Sequence, residues 1–167
     1  MFVNRNALLA AKPIVHMYRT KRQFRGTSFG LVEAGYDIRI RETVTFTAGV
    51  NHPRVTLYDP HTEITSGNKG RFILASSMEE FQMPLDLVGI VSDKSSWARE
   101  GLSLFNTVIE PGWNGYLTLE LVFHGQENLI IPAGVGIAQV LFGRLECKGD
   151  YGKGKYQNAP GIQKAKF

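Results

Sequence analysis

The residues that could do chemistry gather between Ser92 and His124. Lys94, Ser95, Ser96 and Arg99 form a small polar cluster, SDKSSWAREGL, and Glu110-Pro111-Gly112 makes a charged turn. Glu120 then stands inside Thr118-Leu119-Glu120-Leu121-Val122-Phe123, a run that otherwise reads as a β-strand. A carboxylate in a buried strand is costly unless it is paired or doing work. The pattern leaves two readings open: an outward-facing Glu on an antiparallel strand, or a carboxylate held in a pocket as an acid or base.

The rest of the chain must position these groups. Its 167 residues suit one domain with a real core, and 43% hydrophobic with 20% charged residues is ordinary for a globular protein. Eighteen glycines, with Val, Ile, Thr and aromatics well represented, favour many short strands joined by turns. A single cysteine, Cys147, excludes an internal disulfide and, without a secretory signal, predicts a cytoplasmic protein. No stretch is apolar and long enough to span a membrane. The formal charge of +4 is too modest to demand nucleic acid; small anionic ligands such as nucleoside triphosphates fit equally well.

Met1 to Ala11 reads as a short helix ended by Lys12-Pro13. Arg19, Lys21, Arg22 and Arg25 read as a solvated basic face. Ile38, Ile40, Val44 and Phe46 at period two predict a strand or hairpin. Residues 51–68 hold turn formers (Asn51-His52-Pro53, Asp59-Pro60, Ser66-Gly67-Asn68) around one strand, Val55 to Tyr58. Arg71 to Ala75 reads as a strand followed by an acidic helical turn. Further strands are predicted over Leu85–Asp93, Leu117–Phe123, Leu129–Ile131 and Val135–Leu145, with a turn at Pro132-Ala133-Gly134. After Cys147 the chain is polar and rich in Gly and Lys, the composition of a mobile tail or lid. The pattern is all-β: a sandwich, jelly roll or barrel.

Several chemistries are excluded. There is no P-loop and no GxGxxG opening a helix. One cysteine cannot supply the H-x-E and P-C-x-x-C set of the zinc nucleobase deaminases. His16, His52, His61 and His124 are scattered without ligand spacing, and no GxSxG elbow is present.

AGYDIRI, EFQMPLDLVGIVSDKSS, DKSSWAREGL, IEPGWNGYLTLEL, GVGIAQVLF and GKYQNAPG follow one another in that order. Together they resemble the dCTP deaminase branch of the trimeric dUTPase superfamily, over about residues 31–161. The resemblance implies a distorted β jelly roll that assembles as a homotrimer, with nucleotide sites between subunits. Residues 1–147 would be the β domain with an N-terminal extension, and 148–167 its flexible C-terminal lid. It implies hydrolytic deamination of dCTP to dUTP without zinc. Relatives hydrolyse dUTP to dUMP and pyrophosphate with magnesium, some do both, and a nucleotide-binding regulatory member is a further alternative. Magnesium would come with the triphosphate, with no metal site of the protein's own, and the partners would be dCTP or dUTP and further copies of the chain.

Residue by residue, the resemblance makes Glu120 the catalytic base that activates water for attack at cytosine C4. Ser95 and Arg99 match groups that orient that water and pair with the glutamate. Lys94 and Ser96 match triphosphate contacts, Glu110 the residue holding the sugar 3′-hydroxyl, and Trp113 the aromatic against which deoxyribose packs. Thr118 and Leu119 fall on the strand edge that reads the base. Gln139 matches the glutamine of the fourth motif, and Tyr151 and Lys155 match lid residues over base and phosphates. Asp37 matches the first-motif aspartate, structural or magnesium-supporting. Three residues and one loop depart from the pattern: Lys94 stands for Arg, Glu110 for Asp and Ala159 for a frequent Gln, and the loop between Arg99 and Glu110 is about two residues short. A carbonyl of that loop helps hold the water in the family, so its positioning here needs another source.

Overall fold

The computed structural model describes residues 1–49 and 52–167. In chain order its elements are β1 (Phe2–Val3), α1 (Arg5–Ala11), β2 (Lys21–Phe24), β3 (Thr27–Leu31), β4 (Tyr36–Arg39), β5 (Thr43–Thr47), β6 (Arg54–Asp59) and β7 (Ile64–Lys69). They continue with β8 (Phe72–Gln82), β9 (Leu87–Asp93), α2 (Ser95–Ala98), β10 (Leu102–Leu104), β11 (Val108–Ile109), β12 (Asn114–Phe123), β13 (Leu129–Ile131) and β14 (Gly136–Arg144). A seven-stranded sheet runs β11-β9-β14-β4-β3-β2, with β1 also on β14. Two smaller sheets, β10-β12-β8 and β13-β5-β6-β7, complete an all-β, jelly-roll-like body.

Period-two burial explains most of it. In β12, Leu119, Leu121 and Phe123 are buried, which turns Thr118, Glu120 and Val122 to the other face. Phe123 meets Phe46 of β5 with ring centroids 5.3 Å apart, so two sheets share one core. The predicted helix at the N-terminus is α1, ended by Lys12 in the left-handed conformation, and Lys21–Phe24 is an exposed strand bearing the basic face. The four histidines are all exposed. Among the described residues, no helix is long and apolar enough to cross a membrane.

Three expectations need correction. The strands over 36–47 do not form a hairpin: β4 pairs with β3 and β14, whereas β5 pairs with β6 and β13 in another sheet. Ser66-Gly67-Asn68 is not a turn but part of β7, an exposed edge strand in register with β6. Its polar sequence suits an edge that must not recruit another strand. The acidic segment after Ala75 is not helical, because β8 continues to Gln82. Glu79 is buried there by its ion pair with Arg39 (2.8 Å) and by the Arg39 N–H it accepts (2.7 Å), and Phe81 is fully buried two residues on. Tertiary pairing overrides the local signal. The turn expected at Asn51 lies outside the described residues.

Candidate functional site

Glu120 sits on the outward face of β12 opposite Leu74 of β8. It lines a cavity of about 630 Å³. Phe72, Leu74 and Leu117 form an apolar wall, Asn106 to Glu110 a second, and Trp113, Tyr151, Tyr156 and residues 163–165 of the tail a third. The side chain is half-buried, and burial raises its pKa above the usual carboxylate range, with no ion pair or side-chain hydrogen bond to the carboxylate among the described residues. A base of this kind holds its proton more tightly than a free carboxylate and can pass it on at a pH nearer neutrality.

The turn and the tail shape this cavity. Trp113 N–H donates to the Glu110 carbonyl (3.2 Å), closing the Glu110-Pro111-Gly112 turn and placing Glu110, exposed, at the cavity wall. The Trp113 ring is almost wholly buried and donates its Nε1–H to the Tyr156 carbonyl (2.8 Å). The tail lies along β12. Gly115 has φ +131° and bridges to Ala159, and a Cβ there would come within 2.6 Å of the Ala159 nitrogen, so only glycine admits the contact. Gln157 accepts from Asn114 N–H and donates to the Gly112 carbonyl. Farther on, Gln163 N–H donates to Thr118 Oγ1 (2.9 Å), and Ala159 itself is buried in the core.

A second cluster lies on the large sheet. Lys94 is buried, and its ammonium donates to Asp37 Oδ2 and Ser28 Oγ (2.8 Å), while Ser28 donates to the same carboxylate (2.8 Å). Gly136 passes so close to Ser28 that a Cβ would fall 1.8 Å from its carbonyl oxygen. The Gly136 carbonyl accepts the Trp97 Nε1–H (2.7 Å), which pins α2 to β14. Ser95, Ser96 and Arg99, on or just after α2, are exposed. Gln139 lies in β14 between Asp37 of β4 and Ser92 of β9.

The sequence-predicted residues thus fall into two groups. Glu110, Trp113, Thr118, Glu120 and Tyr151 share the cavity. Lys94, Ser95, Ser96, Arg99 and Gln139 do not line it, and no ion pair joins Arg99 to Glu120 among the described residues. Leu119 turns its side chain into the core. Lys155 is exposed and exchanges ammonium-to-carbonyl hydrogen bonds with Lys166 (2.9 Å each). Asn106, Tyr156 and Gln163 line the cavity without having been singled out in the sequence. Tyr156 was within reach, since it follows Lys155 in the lid motif; nothing local marked Asn106. Among the described residues no three His, Cys, Asp or Glu side chains gather as a metal-binding group.

The family model described as "dCTP deaminase-like" matches residues 16–145. The chain belongs to the dCTP deaminase-like family. A dCTP deaminase of Wolbachia (Brugia malayi strain) is 35% identical, the match covering 81% of this chain and 80% of the relative. One from Campylobacter fetus is 38% identical over 81% and 79%, and one from Acidobacterium capsulatum 32% identical over 92% and 91%. Among solved structures, the 2′-deoxycytidine 5′-triphosphate deaminase of Agrobacterium tumefaciens superposes with TM-score 0.53 at 14% identity, over 86% of this chain and 48% of that one. The native EIAV dUTPase gives 0.51 at 18% identity, over 74% and 87%. The jelly-roll-like, dUTPase-type fold of this dCTP deaminase-like chain is therefore the one its motifs imply.

Proposed function

We propose that this chain deaminates dCTP hydrolytically, giving dUTP and ammonia, with Glu120 as the base that activates water. The observation that carries the reading is a half-buried carboxylate whose pKa burial raises, in a cavity of about 630 Å³. In the ionised form Glu120 takes one proton from water while the hydroxide oxygen bonds to C4 of the cytosine. The protonated carboxylate then returns that proton to the 4-amino nitrogen, the C4–N bond breaks and ammonia leaves, and the hydroxyl proton passes to N3, which leaves the C4 carbonyl and N3–H of uracil. The relatives named dCTP deaminase support the substrate. The single cysteine and four separate, exposed histidines do not supply the donor set of a zinc site, so this reading assigns water activation to the carboxylate itself.

Trp113 and Tyr151 offer flat faces for sugar and base, and Thr118 a hydroxyl beside them. The exposed Ser95, Ser96 and Arg99 suit phosphate oxygens, but one chain does not bring them to Glu120. A homotrimer in which α2 of one copy closes the Glu120 cavity of the next would bring them there, with Arg99 oriented toward the carboxylate. Exposed Phe72 and Val108 at the cavity wall give that contact an apolar rim. Magnesium would enter on the triphosphate, neutralising charge between phosphate oxygens.

Glu110 in the same cavity keeps a second reaction in view, attack of water on the phosphate chain to give a monophosphate and pyrophosphate. Incubating the protein with dCTP and with dUTP, magnesium present, and measuring ammonia and pyrophosphate separately tests both. Ammonia from dCTP, without pyrophosphate, is the expected result. Pyrophosphate alone would replace deamination by the second reaction.

A further inference from the structure

β10 pairs with β12 over only three positions, Leu102↔Phe123, Ser103↔Val122 and Leu104↔Leu121. The Phe105 N–H adds one more bond, to the Glu120 carbonyl (3.0 Å), and then the backbones part. Beyond that point the edge of β12 would be open. Its next groups, the Glu120 N–H and the Thr118 carbonyl, lie on either side of Leu119 at the cavity. The side chain of Asn106 takes both: Oδ1 accepts the Glu120 N–H (3.0 Å), and Nδ2 donates to the Thr118 carbonyl (2.7 Å). A carboxamide has the same donor–acceptor geometry as a peptide, so it serves as the missing rung of the ladder.

We propose that Asn106 is a positioning residue for Glu120: its side chain clamps the strand edge that carries the carboxylate and keeps water from solvating that edge. The proposal rests on the reading of Glu120 as the base. Asn106 lies in the short loop between Arg99 and Glu110, where the backbone turns away before the ladder is complete. The clamp does not touch the reacting atoms. It acts by fixing the peptide from which the Glu120 side chain departs and by keeping the carboxylate half-dry. Misplacement of a catalytic group by a fraction of an ångström is enough to reduce turnover substantially.

The test compares the full-length protein with Asn106→Ala and the isosteric Asn106→Asp. The titratable groups facing Glu120 across the cavity are Glu110, Tyr151, Tyr156 and Lys164, and none is changed in either variant. Opening the edge in Asn106→Ala admits water, relieves the burial that raises the Glu120 pKa, and moves its titration to lower pH. Asn106→Asp sets a second negative charge beside the carboxylate and moves it to higher pH. Two readouts follow the change: the Glu120 carboxylate carbon followed by NMR against pH, and the acid limb of ammonia release from dCTP. Asn106→Ala is expected to lower kcat about 10-fold to 100-fold with KM changed much less, and the two variants to move the carboxylate titration in opposite directions. If Asn106→Ala unfolds, Asn106→Asp alone must still move the titration upward. A titration unmoved in the folded variants overturns the clamp, whether Tm falls or not. Wild-type protein that releases no ammonia, with the titrations moving as stated, would remove the deaminase reading and leave the clamp standing.

Discussion

Two carboxylates in this molecule came out of the water in opposite ways. Asp37 is buried against the Lys94 ammonium and the Ser28 hydroxyl, each of which donates to it. Glu120 is half-buried in a cavity whose wall includes Leu74, Leu117 and Phe72, and among the described residues no ion pair joins it. The first arrangement satisfies every charge and ties β3, β4 and the end of β9 together. The second leaves a base with its proton affinity raised and a cavity in front of it. A satisfied charge serves the fold; an unsatisfied one at a cavity is available for chemistry. Lys94 accordingly reads better as the anchor beneath α2 than as a free phosphate ligand, which leaves Ser95, Ser96 and Arg99 as the exposed groups of that half.

The difference is broken most sharply at Glu120. Glu120→Gln keeps the shape and removes the base. Ammonia release from dCTP should fall by about 10²–10⁴-fold, with nucleotide binding by calorimetry retained. At Asp37 the same kind of deletion should strike stability instead. Asp37→Ala leaves the Lys94 ammonium buried and unpaired, a loss of about 3–5 kcal/mol in urea unfolding. Lys94→Met combined with Asp37→Leu should recover much of it, because no buried charge is then left alone. Recovery absent in the double variant would mean that the cluster does more than satisfy its own charges.

How much of this could be read from the chain follows from the range of the forces involved. Alternating burial is local, so Leu129–Ile131, Leu87–Asp93 and the Glu120 strand were legible to within a few residues. The ordered motifs carried the family and the cavity residues Glu110, Trp113, Thr118 and Glu120, and Tyr151 came from the lid stretch just before the last of them. What was not legible depends on distant partners. Glu79 belongs to a strand because of Arg39, forty residues away along the chain. Lys94 is buried because Asp37, distant in sequence, meets it. Asn106 shows its role only when the β10–β12 ladder is seen to stop short. Local composition also misjudged β7, whose Ser, Gly and Asn serve an edge rather than a turn.

Arg99 sharpens the comparison from the other side, since it is exposed and engages no carboxylate among the described residues of its own chain. Arg99→Ala should leave Tm nearly unchanged while lowering ammonia release by about 10²-fold, the scale of losing one charged positioning group. If neighbouring copies share a site, mixing Arg99→Ala with Glu120→Gln and refolding them together should restore activity that neither has alone. One wild-type cavity then forms wherever an intact Glu120 meets an intact Arg99. Mixed oligomers as inactive as the parents would place both residues in sites built from a single chain.

The smallest effect tests the sign of the burial at Glu120. Its folded-state pKa is raised, by burial alone, above the value of an unfolded Glu. The folded protein therefore binds this proton more tightly than the unfolded chain. That contribution to stability is fully present below the unfolded pKa and is lost as pH rises through the folded one. Above it, the ionised carboxylate opposes folding slightly, the more weakly because solvent reaches it. Glu120→Gln should then raise Tm at pH 7.5 by about 1–2 °C, and the gain should disappear near pH 4, where wild-type Glu120 is protonated too. The variant that abolishes the chemistry would be the more stable protein at neutral pH. The opposite sign, a Tm lowered at pH 7.5 and recovered in acid, would mean that a cation absent from the single chain, such as Arg99 of a neighbouring copy, already compensates the carboxylate in solution.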